Sequence, residues 1–313
     1  MASIVGRRRF LQRLSKCKKE TLKTLLRYAS TSTSQSTLQY CVNLVRRIDY
    51  ENFLCSLLIP KSSRNSVLSI RAFNAELAQV RDSVSERDIG RMRMQFWKDT
   101  LQSIYKGSAP QHPVALELAK AVEKHKLSKM WFTRMIEARE SNLDERAYPN
   151  TKSLETYAEN SASSVLYLTL ESLGVKDVNA DHAASHVGKA FGIVTLLRAT
   201  PYHGNRGKVL LPNDILIKHG VSHQDIIRGS TSQPVKDAGF ELASLANTHL
   251  NMARALKSKL PKAALRALLP AVSCQEYLNH IQRADFDLFH PTLRERNQLL
   301  PLSLIRHAWT RKY

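Results

Sequence analysis

The chain has 313 residues, 43% of them hydrophobic and 24% charged, enough to bury a sizeable core in one large domain or two small ones. Ordinary apolar content with only 11 Gly and 11 Pro excludes a disordered tail or a fibrous repeat, and four distant cysteines without a CxxC pair (Cys17, Cys41, Cys55, Cys274) exclude a disulfide-stapled fold and offer no zinc-site spacing. Lys plus Arg number 47 against 27 Asp plus Glu, a formal net charge of +20, and no run approaches the roughly 18 apolar residues that span a bilayer.

The first feature in chain order is a basic segment. Nine of the 47 bases (Arg7, Arg8, Arg9, Arg13, Lys16, Lys18, Lys19, Lys23, Arg27) but one of the 27 acids, Glu20, fall in residues 1–37, leaving 38 and 26, or +12, for the remainder. Phe10, Leu11, Leu14, Leu22, Leu25 and Leu26 interleave with the bases, and the hydroxyl run Ser30-Thr31-Ser32-Thr33-Ser34 follows. An Arg-rich, acid-poor amphipathic stretch of this kind predicts a mitochondrial transit peptide over 1–37, cleaved near Ser30 to Thr37. No uninterrupted apolar core follows the first arginines, which argues against a secretory signal. The alternative is a basic arm that binds RNA or stays solvated. Residues 38–313 are the predicted folded domain, with free thiols in a reducing matrix.

Helical periodicity runs through that domain. From Leu38 to Leu58 apolar residues recur at three and four (Cys41, Leu44, Val45, Ile48, Phe53, Leu54, Leu57), and Pro60 stops the run. Helices are predicted over Ser66–Arg81, Ile89–Tyr105, Val114–Lys126 and Lys129–Asn142, the last with Ser128 as N-cap. A long helix over Leu154–Leu173 closes at Gly174, and another covers Ala180–Arg198. Pro201, Gly204 and Gly207 predict a loop from Thr200 to Pro212. Further helices are expected over Ala238–Leu260, Lys262–Val272, Gln275–Gln282 and Leu302–Trp309. No stretch alternates apolar and polar residues as a strand does, so the fold class is all-α, without internal repeat or clean linker.

The two segments Ile70–Asp82 and Gly192–Pro212 carry a resemblance. With Tyr40–Tyr50, Gln95-Phe96-Trp97-Lys98 and Tyr157–Leu168 in the same order, they resemble the squalene/phytoene synthase family from about Tyr40 to Asp287, most specifically over Leu197-Arg198 to Asn205-Arg206-Gly207-Lys208-Val209-Leu210-Leu211-Pro212. The resemblance implies a single isoprenoid-synthase-like helical bundle. It also implies prenyl diphosphate chemistry in which two i,i+4 aspartate pairs on facing helices hold magnesium.

Carried over residue by residue, those positions are degenerate here. Ala72-Phe73 sets the first register, which puts the first pair on Ala78 and Asp82. Arg198 and Gly207–Pro212 set the second, which puts that pair on Ala199 and His203 and an intervening glutamate position on Tyr202. No Asp or Glu stands between Asp181 and Asp214, while Lys189, Arg198, Arg206 and Lys208 do, a balance that repels a divalent cation. A displaced pair at Asp82 and Glu86 is the rescue, against two solvated acids beside Arg81 and Arg87. His182 and His186 have a zinc-compatible i,i+4 spacing but no third ligand, and otherwise read as a surface or core pair. Phe96 and Trp97 read as core. The expectation is therefore no catalytic residue, no metal and no cofactor, with Arg198, Arg206 and Lys208 as candidates for an anion or lipid.

Within the family, the respiratory complex I assembly factor 6 group joins a mitochondrial presequence to the loss of the aspartates. The chain resembles that group in Ala72-Phe73-Asn74-Ala75-Glu76-Leu77-Ala78-Gln79-Val80, Met92-Arg93-Met94-Gln95-Phe96-Trp97 and Leu197-Arg198-Ala199-Thr200-Pro201-Tyr202-His203-Gly204. This implies a non-enzymatic role in early assembly of complex I, with complex I subunits or assembly intermediates as partners. It also implies peripheral residence on the matrix side of the mitochondrial inner membrane. The terminal segment Leu302, Leu304, Ile305, Ala308, Trp309, flanked by Arg306, Arg311 and Lys312, reads either as an interfacial helix or as one docked on the bundle. The alternative function is a residual prenyl-diphosphate-binding protein or prenyltransferase. Nucleic acid is not expected, because the bases are dispersed and no RNA-binding signature is present.

Overall fold

The computed structural model describes residues 36–83, 87–144 and 146–313. The predicted transit segment therefore lies outside the described residues except at its end, where Ser36 caps the first helix by accepting from the Gln39 amide at 3.2 Å. Every regular element among the described residues is helical. No helix among them is long and apolar enough to cross a membrane.

The first predicted run divides into α1 (Thr37–Ile48) and α2 (Tyr50–Leu57). Asp49 leaves the helical region at the joint (φ −134°, ψ 61°), and Asn52 Nδ2 donates to both of its carboxylate oxygens at 2.9 and 3.0 Å. This corner has no signal in the apolar spacing, which continues through it. Then come α3 (Lys61–Ser83), α4 (Arg87–Tyr105), α5 (Pro113–His125) and α6 (Lys129–Ser141). The helix α3 begins five residues before the predicted start, directly after Pro60, whose fixed φ suits the approach to a first helical turn. Ser128 sits at the N-cap of α6, yet its side chain makes no cap bond. Its amide instead donates to Glu171 Oε2 at 2.8 Å, and Trp131 Nε1 donates to the other oxygen at 3.2 Å, which ties α6 to a later helix.

The long helix predicted from Leu154 is α7 (Thr151–Ala158), a π-helical turn (Glu159–Ser163) and α8 (Ser164–Ser172). Ser161 and Ser164 hydroxyls donate to carbonyls one turn back, Tyr157 O at 2.6 Å and Asn160 O at 2.8 Å, within a stretch where the regular ladder is relaxed. Helix α9 (Val178–Gly204) runs six residues further than predicted and includes Pro201. Burial of Thr200, His203 and Gly204 in its last turn outweighs the missing Pro201 N–H. Two short helices unseen in the sequence follow, α10 (Asn213–Lys218) and α11 (His223–Ile227), the latter opened by a Ser222/Asp225 capping box. Helix α12 (Gln233–Ala255) starts at Gln233 rather than Ala238, with Pro234 in its first turn. Lys262–Val272 is not one helix: a single turn α13 (Ala264–Ala267) precedes α14 (Pro270–Arg283), because Pro270 starts a new helix. The last helix is α15 (Leu300–Thr310).

The core has two apolar clusters. One joins α1 to α6 with Leu300 and Leu304 of α15; the other gathers α9, α12 and α14. Helix α8 is buried nearly all round and serves both, giving Val165 and Leu168 to the first and Leu166 and Leu170 to the second. Thus α15 is docked through Leu304 and Ala308, while Leu302 and Trp309 on its outer side remain about half exposed.

Candidate functional site

Helices α3 and α9 face each other across a crevice of about 550 Å³. From α3 it is lined by Asn74 and Ala78, and from α9 by Thr195 and Ala199, each pair one turn apart and so on one face. The α1–α2 corner closes one side with Asp49 and Glu51, and Arg139 of α6 closes another. Ala78 and Ala199 therefore stand on opposite walls of one cavity, where each offers only a methyl group. Asp82 lies one turn beyond Ala78 on α3. His203 lies one turn beyond Ala199, borders a smaller chamber of about 130 Å³, and is 5% exposed. Arg81 Nη2 is 3.3 Å from His203 Nε2. A guanidinium only donates, so the imidazole Nε2 is the acceptor in this contact.

The crevice charges are mostly guanidinium. Arg47, Arg139, Arg198 and Arg296 line it against two carboxylates, Asp49 and Glu51. Glu51 is held by Arg198 Nη1 at 2.8 Å, and Asp49 lies 3.7 Å from Arg71 Nη1. Burial lowers the Arg71 pKa from its ordinary value, and Asp49 opposes that shift. Magnesium, which the fold family implies, asks for several hard oxygens free to approach one point. The described side chains do not fit it: three of the four motif positions, Ala78, Ala199 and His203, carry a methyl group or an imidazole, and both crevice carboxylates already face guanidinium groups. No group of three or more His, Cys, Asp or Glu side chains arranged for a metal occurs among the described residues.

Of the three predicted anion-binding bases, only Arg198 lines the crevice. Arg206 stacks on the Tyr202 ring, 3.6 Å from its centroid, and donates to the Tyr202 carbonyl at 3.3 Å. Lys208 sits in the turn that closes α9, where its amide donates to His203 O at 3.0 Å. Sequence reasoning passed over Arg71, Asn74, Arg81, Arg139 and Phe191. The available signal was Arg71, a base set inside the apolar stripe Val67, Leu68, Ile70 and Phe73.

Trp97 is core, 3% exposed, while Phe96 is 45% exposed and lines a surface groove with Met92. His182 and His186 do not act as a pair. His186 Nδ1 instead meets His249 Nδ1 at 3.0 Å, and His249 Nε2 meets Glu155 Oε1 at 2.6 Å. Burial, then the neighbouring His249 and Lys189, lower the His186 pKa. A histidine with a depressed folded pKa leaves the unfolded chain binding more protons, so its contribution is present above the unfolded value of about 6.5 and is lost as pH falls through it. Urea midpoints of the wild-type chain and His186→Gln, compared between neutral and mildly acid pH, test this. The variant is expected to show the shallower fall; an equal or steeper fall removes His186 as a cause.

An all-α bundle with paired motif helices facing a central crevice is the architecture of the isoprenoid synthases. A squalene/phytoene synthase profile matches residues 45–306, and the chain belongs to that family. It is 54% identical over 285 residues to the human protein named NADH dehydrogenase (ubiquinone) complex I, assembly factor 6, which covers 91% of this chain and 86% of the relative. The Drosophila melanogaster homologue of that name is 41% identical over 273 residues, 85% of this chain and 81% of the relative. Among solved structures, a dehydrosqualene synthase crystallised with ligand superposes with a TM-score of 0.77 at 18% identity, over 88% of this chain and 95% of that one, which shows the shared fold.

Proposed function

We propose that this chain is a non-enzymatic assembly factor for mitochondrial respiratory complex I, acting at early steps from the matrix side of the inner membrane on a degenerate prenyl synthase fold. The reading is carried by the 54% identity, over 91% of the chain, to a protein named as a complex I assembly factor. The crevice supports its non-enzymatic part. Ionising a prenyl diphosphate needs metal-borne positive charge in contact with the leaving group, and Ala78 and Ala199 supply no metal ligand on the facing walls. The transit peptide over 1–37 and the folded domain from residue 38 belong to the same proposal. Residues 38–313, at +12, are drawn to an anionic lipid surface, each well-placed base contributing on the order of 1 kcal/mol. The exposed Leu302 and Trp309 of α15 suit peripheral contact there. The partners are then complex I subunits or assembly intermediates.

Expression in cells that lack complex I assembly factor 6, followed by native gels of the respiratory complexes, tests the assembly reading. Both the wild-type chain and Asp82→Asn are expected to restore complex I equally. Failure of the wild-type chain, present in mitochondria at normal level, sinks the assembly reading. Failure of Asp82→Asn alone sinks the non-enzymatic part, as does turnover of farnesyl or geranylgeranyl diphosphate with magnesium well above blank.

A further inference from the structure

The crevice continues past Asn74 and Arg139 into a recess of about 50 Å³, above the threshold for admitting a water-sized group. Two guanidinium groups face it, Arg71 and Arg139. Arg71 is 4% exposed, and its Nε is buried without a hydrogen-bond partner. Arg139 donates through Nη2 to Asn74 Oδ1 at 3.1 Å, while its own Nε is likewise buried and unpartnered. A buried N–H without an acceptor costs free energy, and more when it belongs to a charged group. The one carboxylate present, Asp49, accepts from Asn52 Nδ2 and pairs with Arg71 at 3.7 Å, a charge contact longer than a hydrogen bond. The recess is thus lined by two guanidinium groups and one carboxylate, an excess of one positive charge in a space the size of a small anion.

We propose that this recess is a metal-independent phosphate-binding site, in which Arg71 and Arg139 donate to the oxygens of a phosphate group. Phosphate matches guanidinium geometry through paired N–H···O bonds and supplies the charge that a neutral occupant lacks. The 550 Å³ crevice outside gives an apolar or extended substituent a place to lie. The phosphate arrives either as the free ion or as the head of a phosphate monoester amphiphile. The site does not rest on the assembly reading: binding is measured on the purified chain, whereas that reading stands or falls on rescue of complex I.

Isothermal titration calorimetry of the purified full chain in the presence of a metal chelator, with inorganic phosphate and separately with dodecyl phosphate below its micelle concentration, tests the proposal. Binding is expected without metal. Arg139→Met is expected to weaken it by about tenfold or more, Arg139→Lys by less because the charge stays and the fork is lost, and Arg206→Met, at a side chain stacked on Tyr202 outside the crevice lining, to leave it unchanged. Arg71→Met, where the variant melts cooperatively, is expected to match Arg139→Met. Equal affinity for the two probes assigns the free ion, and tighter binding of dodecyl phosphate assigns the amphiphile. Absence of binding to both probes, binding that Arg139→Met leaves intact, or binding that appears only when magnesium is added overturns the site.

Discussion

Phe73→Ala is expected to destabilise the chain by about 4 kcal/mol, within the range for emptying a fully buried aromatic position. Phe73 has no solvent exposure. Its ring meets Trp97 of α4 edge-on at 5.2 Å and Phe132 of α6 edge-on at 5.4 Å. Truncation removes the apolar area and both ring pairs at once, each pair worth about 0.5–1.5 kcal/mol beyond its area. The neighbours are aromatic and held by their own helices, so the space does not close easily. Phe73 also shares α3 with Arg71, Asn74 and Ala78, and loss of its anchor loosens the wall that carries them. Urea denaturation reads the effect as a lower midpoint at unchanged slope. A loss below about 1 kcal/mol would mean that the cluster collapses around the vacancy and that Phe73 does not seat α3.

Gly188→Ala is the second large loss, about 2 kcal/mol net. A Cβ at this position falls 2.5 Å from Ser163 Cα and 2.6 Å from Ser163 N, both backbone atoms of the π-helical turn. No side-chain rotation relieves contacts of that kind, so α9 or the turn must move, at roughly 1–3 kcal/mol or more for overpacking. Alanine returns about 1 kcal/mol through helix propensity, which the contact exceeds. Stability is therefore expected to fall, read as a lower urea midpoint at unchanged slope. A variant as stable as wild type shows that the turn gives way freely and that the close approach carries no energy.

Much of the helical order was legible from the chain itself. The three-and-four spacing of Val67, Ile70, Phe73 and Leu77 places α3, and the Ala72-Phe73 and Arg198 registers put Ala78 and Ala199 at motif positions. The structure sets these two residues on one cavity. Boundaries were less legible where tertiary burial overrode local punctuation. Pro201 reads as a helix breaker, yet the buried last turn of α9 carries the helix to Gly204. Pro270 reads as interior to a helix, yet it begins one. The corner at Asp49 and the π-helical turn at Glu159–Ser163 leave no trace in apolar periodicity, because both occur within stretches that remain apolar on the core side.

The charge pattern shows the same division. Arg206 and Lys208 adjoin the motif in sequence, but one folds back onto Tyr202 and the other lies in a turn, whereas Arg71 and Arg139 share the recess. Sequence alone determined the secondary structure class and the family, since helical periodicity and motif spacing are set within a few residues. Only the tertiary structure decided which charges meet, as with Glu51 and Arg198, 147 residues apart and 2.8 Å from each other. The electrostatics of a cavity are a sum over walls contributed by distant helices, and no local window of the chain contains that sum.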